Sequence, residues 1–491
     1  RHLKTTPINK RKPGDKRRAT SAEASLWLVQ QQDPDNVAYN MPGAIDIDGL
    51  LDAPAMTRAL MAVNLRHPAL HSLFIEQPDG LILEPRADLI QCPAIDEADS
   101  ETDFKTWISE IERVETARPF RLDKELPFRA RILRLADNRH RVLIAFHHIA
   151  ADAYAIDIFS RDLEESYRRA LENPGLEPAE LSEQLAPPGF DPLAAEERLD
   201  FTEDGAAAAA LRRWALRLKG VGAALSLPRE EDQIHDAALD GTLGVETLFI
   251  DEDLRRRLAD RARAAAGTPF VLLHATLAVA LHRFGGGEDV VIGTPVSQRP
   301  DEAFARSVAM MLNTVPLRLA IEPDARLSDI VAGAQDCLID VLADSVVPLD
   351  RIVEAVNADR SGVGGGGGDA SLFQVLLTTH PPHLGTLQLG DANVAVRVLP
   401  QAQAKMDLVV LCADAGATMN IPIEHAAGLF PDGGAARFAQ AFLGVLDAVA
   451  SSPSTPVDHV LLFGPGSSEY SDEVSGSAVV DARGAPGGTI L

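Results

Sequence analysis

Five apolar residues in succession, Val142, Leu143, Ile144, Ala145 and Phe146, run directly into His147-His148-Ile149-Ala150-Ala151-Asp152-Ala153. So short and dry a run predicts a buried strand, and the amphipathic pattern from Ala153 to Ala170 predicts a helix straight after the turn. The fold must therefore set a dry strand against a helix and hold two imidazoles and a carboxylate in the turn between them. Imidazole titrates near neutral pH, so a histidine on that rigid support can take a proton from an attacking amine or hydroxyl and return it. Strand alternation sends His147 and His148 to opposite faces, which leaves one of them to the core. Asp152 also suits the N-cap of the following helix, since its carboxylate can accept from the first free backbone N–H groups.

At 491 residues the chain exceeds the size at which single cores divide, which predicts two domains. The net charge of −26 argues against nucleic acid or an anionic membrane as the partner, because both need a broad basic surface. Cys92, Cys337 and Cys412 are scattered and lack metal-ligand spacing. They predict a reduced, cytoplasmic setting with neither a disulfide framework nor a bound metal. No apolar stretch reaches the roughly 18 residues of a spanning helix.

The chain divides by composition. Residues 1–18 are basic and contain Pro and Gly, which predicts a disordered segment; it has no apolar core and so is not a secretory signal. Residues 19–185 form a first αβ region, with helices expected near Ser21 to Gln31 and Pro54 to Arg66 and strands near Leu70 to Glu76 and Arg131 to Phe146. Residues 186–204 mix Pro, Gly, Asp and Glu without period and are expected to link the two regions. Residues 205–464 form the second region. In it Pro269 to Phe284 reads as a buried helix stopped by Gly285-Gly286-Gly287, and Asp289 to Pro295 as a buried strand. Gly364 to Gly368 predicts a mobile loop without the Lys-Ser/Thr ending of a phosphate cradle, and 465–491 a flexible tail or linker.

A series of motifs in order resembles the condensation domains of nonribosomal peptide synthetases. Thr20 to Leu28 is similar to the family's opening Ser-x-Ala-Gln-x-Arg-Leu-Trp, with Glu23 and Ser25 replacing Gln and Arg. Arg66 to Phe74 resembles the second motif, and His147 to Ala153 the central His-His-x-x-x-Asp-Gly except at its last position. Ile292 to Arg299 and Met310 to Arg318 resemble the segment ending in Asn-Thr-x-x-x-Arg. Ser371 to Val375, Lys405 to Leu408 and Ile423 to Phe430 resemble the late strands and final helix.

The resemblance implies an α/β (α+β) fold of two chloramphenicol-acetyltransferase-like lobes, set in a V as a pseudo-dimer around a central tunnel. It implies a condensation-type acyltransferase, acting as a monomer, that joins a carrier-bound acyl or peptidyl thioester to an amine, or to an alcohol, in natural-product biosynthesis. The substrates would arrive on the phosphopantetheine arms of donor and acceptor carrier proteins, beside neighbouring synthetase domains and with no directly bound cofactor. The catalytic residue would be His148, with His147, Asp152 and Ala153 supporting the turn and Tyr154 and Asn313 at the tunnel wall. The alternatives are an inactive condensation-like module that recruits a partner enzyme, and an O-acyltransferase of the same superfold using coenzyme A or a polyketide alcohol.

Three positions depart from the family's pattern. Ala153 stands for Gly and would be strained by about 1 kcal/mol or more if that residue needed positive φ. His71 stands where an Arg pairs with the motif Asp, so Asp152 would turn to His71, or to Arg129 or Arg131 on the neighbouring strand. Ala343 to Pro348 keeps only the proline of its motif, which reads as drift at the surface. Trp27, Trp107 and Trp214 are expected as core anchors and His274 as a core histidine.

Overall fold

A computed structural model of the chain describes residues 14–97, 103–222, 225, 227, 242–361, 372–380, 387–414, 419–430 and 433–462. The basic segment up to residue 13, the glycine run at 364–368 and the tail at 465–491 lie outside them. The chain begins with β1 (Arg17–Arg18), α1 (Ser21–Gln32), β2 (Asn40–Asp48), α2 (Ala53–Arg66), β3 (Ser72–Gln77), β4 (Gly80–Pro85), β5 (Ala94–Glu97) and α3 (Phe104–Thr116). It continues with β6 (Phe128–Ala136), β7 (Arg139–His147), α4 (Ala153–Glu172), α5 (Pro178–Gln184), α6 (Leu193–Glu196) and α7 (Ala206–Arg217). Then come β8 (Leu243–Ile250), α8 (Glu252–Ala264), α9 (Pro269–Leu281), β9 (Asp289–Ser297), β10 (Leu312–Ala320), α10 (Leu327–Ala343) and α11 (Leu349–Ser361). The last elements are β11 (Val375–His380), β12 (Asn393–Val398), β13 (Leu408–Asp414), β14 (Met419–Ala426) and α12 (Gly434–Ser451).

The arrangement is mixed α/β, built on two main sheets. The first has the order β12-β2-β7-β6-β5 and the second β10-β9-β11-β13-β14-β8, with a small sheet β1-β4-β3 beside the first. The apolar run 142–146 lies in β7, the central strand, with β2 and β6 antiparallel on either side. Arg131 to Phe146 is thus a hairpin that turns at Asp137 and Asn138. The outer strand β12 comes from late in the chain and pairs along β2, from Asn393 opposite Asp48 to Val398 opposite Gly43. The first core also takes Phe304, Val308, Met311, Leu387 and Val396, so the second half of the sequence completes the first sheet and its packing.

In the second sheet β11 runs parallel to both β9 and β13. Helix α9 supports it with every residue from Val271 to Leu281 buried, His274 included. A π-turn and Gly285, at φ 97°, end that helix, a backbone angle that glycine adopts without strain. Trp214 is fully buried and Trp27 nearly so, while Trp107 is half-buried against the first sheet. Residues 186–204 hold the short helix α6 and are pinned by Gly189 N–H to Arg306 O (3.0 Å) and Phe190 N–H to Ala303 O (3.0 Å). Among the described residues no single helix is long and apolar enough to cross a membrane.

The segment from Ala343 to Pro348 corrects the expectation of surface drift. Asp344 is fully buried and held by Arg213 (2.5 Å) and Arg217 (2.7 Å) of α7, while its carbonyl accepts from Trp214 Nε1 (3.0 Å). These guanidiniums hold its carboxyl below the usual range against the opposing effect of burial. The motif is lost there, but the position is load-carrying because an unpaired carboxylate in that site would be costly.

Candidate active site

Strand β7 ends at His147, opposite Asn40 of β2, and the next N–H, that of His148, still bonds Tyr39 O (2.8 Å). The chain then turns through Ala150 N–H to His147 O (3.0 Å) and enters α4. Phe146, beneath this turn, packs edge-on against Phe159 of α4 with ring centres 5.0 Å apart. The support for the two histidines is therefore a central strand locked to a helix by aromatic packing.

His147 is buried and faces away from the open side. Its Nδ1 accepts from Ile149 N–H (3.1 Å), so Nε2 carries the proton and donates to Gln30 Oε1 (3.2 Å). Burial, with minor repulsion from His148 and Arg129, lowers its pKa to about 3. Through Gln30 it ties the turn to α1.

His148 lies on the wall of a cavity of about 1480 Å³ bounded by both main sheets. Its Nδ1 is buried, the backbone carbonyls of His148 itself and of Ala151 bear on the ring, and Nε2 is left as the nitrogen open to the cavity. Burial first, and the positive charge of Lys405 second, lower its pKa to about 4. The imidazole is thus neutral at physiological pH, with a ring nitrogen available to a reacting group. The lining around it is largely apolar, with Met41, Ile144, Phe146, Met310 and Leu376 among the contributors.

Asp152 is wholly buried and caps α4 through Ala155 N–H (2.9 Å). Its carboxylate also accepts from Arg299 Nη1 (2.7 Å), Arg299 Nη2 (2.9 Å) and Met311 N–H (3.0 Å). Those four donors match the lone-pair capacity of a carboxylate, so nothing is left for His148. Asp152 thus caps α4 and at the same time ties the turn after β7 to the β9–β10 segment of the second sheet.

This corrects the expected partners of Asp152. Arg129 pairs across the strands with Ala145 and Arg131 with Leu143, which places both on the face of the sheet that carries His147, away from the cavity. Arg129 bonds Arg118 O (2.8 Å) and stacks on Phe120 at 3.9 Å, and Arg131 pairs with Asp96 and Glu115. His71 gives Nδ1 to Asn64 O (2.8 Å). Arg299 takes the role, 147 residues along the chain from Asp152. Its signal in the sequence is the final residue of the Ile292 to Arg299 motif, which nothing local links to the carboxylate.

Ala153 is the first residue of α4, and among the described non-glycine residues only Ala266 has positive φ, so the Gly-to-Ala departure carries no backbone strain. Its methyl group and the half-exposed ring of Tyr154 line the cavity, with the Arg299 guanidinium 5.4 Å from that ring. Asn313 also lines it while clamping backbone. Its Nδ2 donates to Ser345 O (2.8 Å) and Val347 O (2.7 Å), and its Oδ1 accepts from Leu349 N–H (3.1 Å). A second tie lies nearly three turns beyond Asp152 along α4, where Asp162 accepts from Arg306 Nη2 (2.6 Å) and contacts His67 Nε2 (2.8 Å). Among the described residues no cluster of His, Cys, Asp or Glu is arranged to hold a metal ion.

The sequence model of the family described as "Condensation domain" matches residues 16–469. Chondramide synthase of Chondromyces crocatus is 26% identical over 90% of this chain, which spans only 11% of that protein's length. The X-domain from teicoplanin biosynthesis shares the fold at a TM-score of 0.77 and 23% identity, covering 90% of this chain and 97% of that one. The first condensation domain of the calcium-dependent antibiotic synthetase does so at a TM-score of 0.72 and 21% identity, covering 92% of this chain and 100% of that one.

Proposed function

This chain belongs to the condensation-domain family, and from that premise we propose that it is an active acyltransferase in which His148 manages the proton of the transfer. Donor and acceptor reach the cavity as thioesters on the phosphopantetheine arms of two carrier proteins. The observation that supports this reading is a neutral imidazole with Nε2 toward a large, mostly apolar cavity, on a turn fixed by a fully bonded carboxylate.

The acceptor amine attacks the donor's thioester carbonyl, forming a C–N bond as the carbonyl oxygen gains charge. His148 Nε2 takes the proton released from nitrogen. When the tetrahedral species collapses, the C–S bond breaks and the imidazolium returns that proton to the departing sulfur. An amide and a free pantetheine thiol result, and the enzyme regains its starting protonation. General-base assistance of this kind is worth about 10²- to 10⁴-fold. Alignment of two tethered substrates supplies up to about 7–11 kcal/mol, so the cavity walls matter as much as the base. A hydroxyl acceptor would follow the same route to an ester.

Intact-mass spectrometry of loaded donor and acceptor carriers, incubated with the chain, tests the reading. Amines and alcohols are both offered. Mass gain on the acceptor carrier supports it and identifies the bond; no gain from carriers that bind the chain would instead favour a recruiting module.

A further inference from the structure

Charged side chains on the cavity wall are mostly satisfied by the protein. Glu196 accepts from Ser21 N–H (2.8 Å) and Ser21 Oγ (2.9 Å), Arg198 pairs with Asp301 (2.9 Å), and Arg397 pairs with Asp46 (2.6 Å). Three are different: Asp350, whose Oδ1 is buried without a partner at the start of α11, and, at the second sheet, Lys405 and Glu424. Lys405 and Glu424 both line the cavity and are half-buried, yet neither side chain makes a hydrogen bond or ion pair with any described residue, including each other.

Their polar ends open to the cavity rather than to a protein partner. Glu424 stands on β14 directly between Val245 of β8 and Val409 of β13, in a row that Leu376 of β11 continues. It is a carboxyl on an otherwise apolar stretch of sheet. Lys405 precedes β13 and acts electrostatically on both Glu424 and His148, whereas Glu424 reaches only Lys405. Burial drives the Glu424 carboxyl up and the Lys405 ammonium down from their ordinary values, as expected of groups lacking a close partner.

We propose that Lys405 and Glu424 are specificity-determining residues that together bind a secondary amide in the substrate chain, Lys405 Nζ donating to the amide carbonyl and Glu424 accepting from its N–H. The assignment follows from what each candidate group leaves unpaired. An alkyl chain satisfies neither residue. A free carboxylate satisfies Lys405 but opposes Glu424, and a free ammonium does the reverse. A secondary amide presents an acceptor and a donor on opposite sides of one rigid plane and brings no net charge into the cavity. It completes both residues at once, where unmet hydrogen-bonding groups weigh most against binding.

This rests on the proposed acyl transfer for its substrates, but its test does not need turnover. The probes are two unreactive aminopantetheine amides of matched length, one acylated with N-hexanoylglycine and the other with nonanoic acid. Both contain the amides of the pantetheine arm; only the first has one in the acyl chain. Calorimetric titration of the parent chain should show the amide-bearing probe binding about tenfold tighter or more. In Lys405→Met and in Glu424→Met that preference should fall to within about twofold, with nonanoyl binding unchanged. Lys405→Leu and Glu424→Leu, checked by thermal melting, serve if either methionine variant fails to fold, and each should again erase the preference. Equal weakening of both probes would assign the pair to the pantetheine arm and overturn the proposal, as would a preference that survives in every folded variant. Absence of transfer beside an intact binding preference would count against the acyltransfer reading alone.

Discussion

His148 and His147 are adjacent in sequence and opposite in use. Alternation places one ring toward Gln30 and the other toward the cavity, and burial keeps both neutral. The imidazole resonances should show this directly. Titrated by NMR, with His148 assigned by its loss in His148→Gln, that ring should remain neutral at pH 5.5 and protonate near pH 4. A midpoint at the ordinary 6.5 would contradict the dry setting. The Asp152–Arg299 pair makes a second expectation at this scale. Removing one partner of a buried pair strands the other, so Arg299→Ala should lose about 3–5 kcal/mol of stability in urea denaturation. A loss under about 1 kcal/mol would show that the pair is not the tie described.

At the scale of elements, the strand, turn and helix around the histidines were legible because all their signals are local. A dry run of five residues, an Asp at the cap and a helical period lie within thirty positions. Helix α9 with its glycine stop was legible for the same reason. The role of β12 was not, because Asn393–Val398 alternates like any edge strand and nothing local says that it joins a sheet begun at residue 40. Arg299 and the buried Asp344 escaped likewise, since their partners sit 147 and 131 residues away. Glycine in β9 has a purely steric reason. A Cβ on Gly293 would fall 2.4 Å from the Phe373 ring, beside the β9–β11 junction at Leu376. Gly293→Ala should therefore destabilise the second sheet by about 1–3 kcal/mol, read as a lowered denaturant midpoint. An unchanged midpoint would mean that Phe373 moves aside freely.

Across the whole molecule the two halves of the sequence are joined by Asp152–Arg299 beneath the turn that carries His148, by Asp162–Arg306 farther along α4 and by β12, so the wall that carries His148 depends on both. Stability should also depend on pH through buried imidazoles. His147, His148 and His274 have pKa values of about 3, 4 and 3 in the folded chain, against 6.5 when exposed. Below 6.5 the unfolded chain takes up protons that the folded chain refuses, so their contribution is complete above that pH and lost as the pH falls toward 4. Each should cost about 1.4 kcal/mol per pH unit across that window. Denaturant unfolding at pH 7.5 and 5.5 should show lower stability at 5.5, and equal values would contradict neutral burial. The most direct test of the chemistry is single-turnover transfer between loaded carriers by the parent chain, His148→Ala and His147→Ala. His148→Ala should melt like the parent and lose about 10²- to 10⁴-fold in rate, while His147→Ala should lose stability first. Transfer at the parental rate by a folded His148→Ala would contradict the assignment of His148 as the base.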